Sequence, residues 1–257
     1  MEKIKLDFQH EKSVARIILN SPKANVLDSV MMSELTQVFS ELKTMHSIKA
    51  ITFEGEGDHF SFGASVEEHK KELAGEMLKS FHGLFYSIID LSIPAIAKIS
   101  GQCLGGGMEL ALICNFMFTD RSARLAQPEI MLGIFPPPAS ILLPLKIGSS
   151  RAEELLLTGK PITAEEGKTL GLINEVYEDK NSLNAGVDGF IQKYLFPKSA
   201  SSLKFAVRSA RVNLNQILCE KLKVLESIYV NELMETKDAN EGINSFLEKR
   251  KPVWQNC

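Results

Sequence analysis

The spacing of apolar residues changes period several times along the chain. "VARIILN" from Val14, "KAITFEGEG" from Lys49 and "IPAIAKISG" from Ile93 are short runs rich in Ile, Val or Phe, each closed by Asn, Gly or Ser, and they predict strands. Between them, "SVMMSELTQVFSELKTM" and "EMLKSFHGLFYSIIDL" carry apolar residues at helical spacing. Strands alternating with helices predict an α/β core. Later units, "FMFTDRSARLAQPEIMLGIF" and "GKPITAEEGKTLGLINEVYE", each end in a turn, and no repeat is visible at the level of sequence. Near Phe196 the pattern becomes wholly helical. Leu218, Leu222, Leu225, Tyr229 and Leu233 follow one another at three- and four-residue steps, and "DANEGINSFLEKR" opens on Asp238 with Glu241 three residues later, a capping-box start, followed by Ile243, Phe246 and Leu247 on one face. The chain thus divides into a core, residues 1–195, and a helical region, residues 196–257, whose apolar faces must be covered by the core or a neighbouring subunit.

Composition narrows the class. With 257 residues, 44% of them hydrophobic and 24% charged, the chain can bury a large core and is neither disordered nor fibrous. A net charge of -3 gives no electrostatic reason to expect nucleic acid or a membrane surface as partner. The start, "MEKIKLDFQHEK", lacks the apolar core of a signal peptide, and the longest apolar passage is interrupted by Glu109 and Asn115. A cytoplasmic protein is expected. Cys103, Cys114, Cys219 and Cys257 form no C-x-x-C pair and read as reduced thiols. The histidines His10, His46, His59, His69 and His82 are scattered without ligand spacing, so no metal is expected.

The candidate chemistry begins at "GQCLGGGMEL", Gly101–Leu110. Consecutive glycines cost folding entropy and mark a sharp turn or a close approach. Gly105, Gly106 and Gly107 follow a strand and lead into a helix-like run, so their N–H groups are available to a phosphate, a carboxylate or a developing oxyanion. Neither the P-loop pattern nor G-x-G-x-x-G is present, which leaves an oxyanion hole or a tight turn without a ligand. Glu109 then stands on an apolar helix start, where an unpaired carboxylate is expensive to desolvate. Glu129 is the one charge in the run from Leu125 to Leu145. Either these are a capping glutamate and a solvated loop glutamate, or they form a pair in an apolar site, an acid beside a base.

"PKANVLD", "HFSFGAS", "SGQCLGGGMELAL", "LAQPEIMLGIFP" and the terminal "FLEKR" occur in order over almost the whole chain. Together they resemble the successive signatures of the enoyl-CoA hydratase (crotonase) family. "HFSFGASVEEH", "GQCLGGGMEL" and "SSLKFAVRSAR" are most similar to the members that add water to a cyclic dienoyl-CoA in anaerobic benzoyl-CoA degradation. The resemblance implies a spiral of β-β-α units, a helical C-terminal trimerisation region and a homo-hexamer built as a dimer of trimers. It implies that the N–H groups matching Ala64 and Gly106 hold the thioester carbonyl. Glu109 and Glu129 match the two catalytic glutamates, the first activating water and the second delivering a proton. Coenzyme A enters as part of the acyl-CoA substrate, with no separate cofactor.

For the coenzyme A moiety, Lys23 matches a lysine near the diphosphate, Phe62 and Ala64 would offer carbonyls to the adenine, and Phe246 with Lys249 would reach the nucleotide of a neighbouring subunit. The chain departs from the family in two places. Glu67 stands where many relatives have lysine. Phe135-Pro136-Pro137-Pro138 replaces a glycine after the first proline, so a backbone N–H is missing and Phe135 and Pro137 form a stiff wall of the acyl pocket. Many relatives that isomerise, hydrolyse or dehalogenate acyl-CoA esters keep only one of these carboxylates, and some members bind RNA. Retention of both glutamates and the acidic balance favour hydration over these.

Overall fold

Alternation of strand and helix is what the computed structural model contains. It describes residues 1–21 and 23–257; Pro22, which opens "PKANVLD", lies outside the described residues. In chain order the elements are β1 (Ile4–Gln9), β2 (Val14–Leu19), α1 (Ser29–Thr44), β3 (Ala50–Gly55), α2 (Lys71–Leu91), β4 (Ala95–Ile99), β5 (Gln102–Leu104), α3 (Gly106–Leu112), β6 (Phe116–Asp120), β7 (Arg124–Ala126), α4 (Pro137–Ile147), α5 (Ser149–Thr158), β8 (Ile162–Thr163), α6 (Ala164–Thr169), β9 (Glu175–Tyr177), α7 (Lys180–Phe190), α8 (Ala200–Ala210), α9 (Val212–Asn231) and α10 (Lys237–Leu247). A six-stranded sheet runs β1-β2-β3-β4-β6-β9, antiparallel only between β1 and β2, and a smaller sheet runs β5-β7-β8.

Parallel strands are covered on both faces, which is why β3 and β4 are buried along their whole length. Helix α1 starts where the Asp28 side chain accepts from the Met31 N–H at 3.0 Å, and it buries Met31, Met32, Leu35, Val38, Phe39 and Leu42, one face of a helix. Helix α2 ends at Ser92 in the left-handed region, φ 51. Leu218, Leu222 and Tyr229 of α9 belong to the same hydrophobic core as the main sheet, so the helical region shares its core with residues 1–195. Among the described residues no helix is long and apolar enough to cross a membrane.

The start of α10 departs from expectation. Its cap is Thr236, whose hydroxyl accepts from the Ala239 N–H at 3.2 Å, so Asp238 is already inside the helix and forms no capping box with Glu241. The two carboxylates instead bind the C-terminal tail: Asp238 accepts from the N–H groups of Gln255 and Asn256, and Glu241 accepts from Val253 and from the Arg250 guanidinium.

Candidate active site

Strand pairing in the smaller sheet brings the two glutamates together. Strands β5 and β7 run parallel with Leu104 opposite Ala126, and the Gly105 N–H donates to the Ala126 carbonyl at 2.9 Å. Glu109 lies one helical turn beyond the end of β5, and Glu129 lies three residues beyond the end of β7. Their separation of twenty residues in sequence is closed by this register. Both carboxyls line one cavity of about 710 Å³, and they are only 4% and 9% exposed. Neither is a solvated loop residue.

Each of the three glycines has a separate structural task. Gly105 adopts φ 49 and ψ -126 at the cap of α3, and a Cβ there would fall 2.5 Å from Glu129 Oε1. A Cβ on Gly106 would lie 3.1 Å from the Ala64 nitrogen, and one on Gly107 would lie 2.6 Å from the Ser61 Cβ. The glycines therefore admit a carboxylate, a backbone nitrogen and a buried serine in turn.

Ala64 and Gly106 present their N–H groups at this point. Leu27 donates to the Gly63 carbonyl and accepts from the Ser65 N–H, a parallel bridge that turns the N–H of the intervening Ala64 away from Leu27. Gly106 opens α3, so its N–H has no partner within the helix. The loop is fixed by the buried Ser61 hydroxyl, which donates to the Asn25 carbonyl at 2.8 Å and accepts from the Gly63 N–H at 3.0 Å.

Glu109 Oε1 accepts from the Ala139 N–H at 2.9 Å, the first N–H that α4 offers after Pro137 and Pro138. Glu129 is met by the buried Gln127 amide, whose nitrogen, oriented to satisfy the network, donates to both carboxylate oxygens at 3.2 and 3.1 Å. Burial pushes Glu109 well above the usual carboxylate range, the charge of Glu129 adds to this, and the Ala139 N–H opposes it. Burial likewise raises Glu129 to about 8 against the pull of its own backbone N–H. The two titrate as a pair that still holds a proton at pH values where free glutamates have lost theirs, so an acid and a base coexist in one site.

Of the other residues singled out from sequence, Phe62, Phe135, Pro137 and Phe246 line the same cavity. Phe246 lies on the wall of this chain's own cavity, where the missing side chain of Gly242 lets α10 approach the Leu132 backbone. Lys23 and Lys249 are exposed, both with positive φ, and neither is on the cavity wall, whereas Arg250 is. Glu67 also lines the cavity. Three contributors went unrecognised in the sequence: Gln127, the Ala139 N–H and Tyr229. Tyr229 carried a signal, being the one hydroxyl-bearing residue in a stripe of leucines.

Residues 9–257 match the family described as enoyl-CoA hydratase/isomerase. The chain is similar to a cyclohexa-1,5-dienecarbonyl-CoA hydratase from Thauera aromatica, 41% identical over 98% of this chain and 97% of that protein. It is also similar to a probable enoyl-CoA hydratase from Bacillus subtilis, 33% identical over 95% and 96%. In fold it resembles the crystal structure of an enoyl-CoA hydratase from Mycobacterium avium subsp. paratuberculosis, with a TM-score of 0.87 at 21% identity over 99% of both chains.

Proposed function

Because the chain belongs to the enoyl-CoA hydratase/isomerase family and is a hydro-lyase, we propose that it adds water to cyclohexa-1,5-diene-1-carbonyl-CoA, giving 6-hydroxycyclohex-1-ene-1-carbonyl-CoA in anaerobic aromatic degradation. The observation that carries the reading is the placing of Glu109 and Glu129 in one cavity with the unengaged N–H groups of Ala64 and Gly106. The acyl end favours a ring: Phe81, Phe135, Tyr229 and Pro137 line the cavity with rigid side chains against which a six-membered ring can pack.

In the mechanism, the thioester oxygen sits against the Ala64 and Gly106 N–H groups, each such donor typically contributing about 10²–10³ in rate. Water attacks the β-carbon while Glu109, oriented by the Ala139 N–H at the start of α4, takes its proton. The electron pair moves into an extended dienolate whose negative charge rests on the held oxygen. Glu129 protonates the far carbon, which returns the pair as a double bond and completes the addition. Coenzyme A is the handle of the substrate, with Phe62, Ala64 and Phe246 at the cavity and Lys23 and Lys249 at the surface assigned to its nucleotide. Phe205, Val212 and Val224, all exposed on α8 and α9, are assigned to subunit contacts in a dimer of trimers.

A side-by-side assay with the cyclic diene and crotonyl-CoA, products read by mass, tests the substrate. Strong preference for the diene is expected, with one deuterium from deuterium oxide at the ring carbon remote from the new hydroxyl. Turnover of crotonyl-CoA alone makes this a straight-chain hydratase. The pH profile is a separate check. Burial raises both carboxyls, so the pair has no ionised member at low pH, and kcat/KM climbs as the first proton leaves the pair and falls when the second has gone and no acid remains. A flat profile from pH 5 upward would mean that an ordinary carboxylate acts as base.

A further inference from the structure

Tyr229 of α9 is 1% exposed, lies on the wall of the cavity, and its hydroxyl has no hydrogen-bond partner among the described residues. An unpaired buried hydroxyl is costly, so a position that needed only apolar contact would favour phenylalanine, and the neighbouring buried positions on α9, Leu218 and Leu222, are leucines. The ring is held in place, its edge against Phe135 with centroids 5.4 Å apart. Burial first, and then the charges of Glu129 and Glu109, raise the phenol well above its ordinary range, so it keeps its proton and acts as a donor.

The adjoining start of α4 lacks free donors. Helix α4 begins Pro137-Pro138, which removes the first two N–H groups of its N-terminus, and the third, that of Ala139, is taken by Glu109. A water between the two carboxyls therefore receives no free backbone donor from α4.

We propose that the Tyr229 hydroxyl supplies that donor, binding the oxygen of the attacking water and then the hydroxyl of the product. The inference rests on the hydratase reading above. As the C–O bond forms, the water O–H bond breaks and its proton passes to the carboxylate base; the phenol proton stays on Tyr229 throughout. Tyr229 thus positions the nucleophile and takes no part in proton transfer.

The test is Tyr229→Phe, which keeps the ring and its packing. Hydration should fall by roughly 10–100-fold in kcat, as a misplaced reactant predicts, with KM within about two-fold. Exchange of the ring γ-protons of cyclohex-1-ene-1-carbonyl-CoA with deuterium oxide needs the two N–H groups and a carboxylate but no attacking water, and it should stay within about two-fold. Adding Pro137→Ala restores an N–H at the start of α4 and should recover part of the lost hydration. Equal loss in hydration and exchange, or no loss of hydration, overturns the proposal. Wild-type turnover is measured first: a wild-type protein that hydrates neither the cyclic diene nor crotonyl-CoA refutes the hydratase reading itself, whereas normal wild-type hydration with an unaffected Tyr229→Phe refutes this inference alone.

Discussion

Glu109→Gln and Glu129→Gln each lower hydration by about 10²–10⁴-fold, the range that a positioned general acid or base contributes. Glutamine keeps the shape and one carbonyl oxygen, so the Ala139 N–H still finds an acceptor at position 109 and the fold survives. Stability moves in the opposite direction to activity. A carboxyl whose pKa is raised on folding favours the native state below its unfolded pKa, and that advantage is lost as pH rises through the folded value, here about 8 for Glu129. Every tenfold change in proton affinity between the unfolded and folded chain corresponds to roughly 1.4 kcal/mol. The Glu129→Gln protein should therefore melt near the wild type at pH 5 and several degrees above it at pH 8. Thermal melts at the two pH values, with rates on the same preparations, check both halves. Nearly full activity in either variant would disprove the two-carboxylate mechanism.

Gly242→Ala has a comparably large effect through the backbone. A Cβ at this position would lie 2.0 Å from the Leu132 carbonyl oxygen and 2.4 Å from its carbon, and neither atom can rotate aside as a side chain does. Leu132 closes the turn Pro128–Leu132 that carries Glu129, and α10 supplies Phe246 and Leu247 to the cavity. The substitution lifts α10, opens the cavity and disturbs the turn. Overpacking of this kind costs about 1–3 kcal/mol, and a displacement of about 1 Å at a catalytic group costs about 10²-fold in rate. Melting temperature and kcat/KM should fall together. Gly83→Ala, at a position where a Cβ meets nothing within 4 Å, serves as the control.

The sequence was most legible where one periodicity ruled. Strands β2, β3 and β4 and helices α1 and α2 follow apolar spacing and end near Gly, Asn or Ser, so the α/β class and the positions of these five elements could be read directly. β1 escaped because its alternation is charged, with Lys5 and Asp7 between Ile4, Leu6 and Phe8, and nothing marked it as the antiparallel partner of β2. Periodicity also hides who stands across a sheet. Glu54 and Lys98 look like interruptions in apolar strands, yet the register places them opposite one another with Lys98 Nζ 2.9 Å from Glu54 Oε2, and Arg16 completes the cluster. The site was half legible for the same reason. Two carboxylates in apolar surroundings announce a problem of desolvation, but only three-residue strands, too short to show a period, bring them together. Gln127 and Ala139 act through an amide and a backbone N–H, which no residue type advertises.

The cavity takes its walls from Val26 near one end of the chain to Pro252 near the other, with α9 and α10 closing over what the early strands begin. A ribosome synthesising this protein therefore holds an inert chain until its last helices have left the exit tunnel. Parallel strands separated by long crossovers are a slow arrangement to assemble. Activity needs α9 and α10 in place, and a product truncated before them carries both glutamates yet lacks the walls that enclose them.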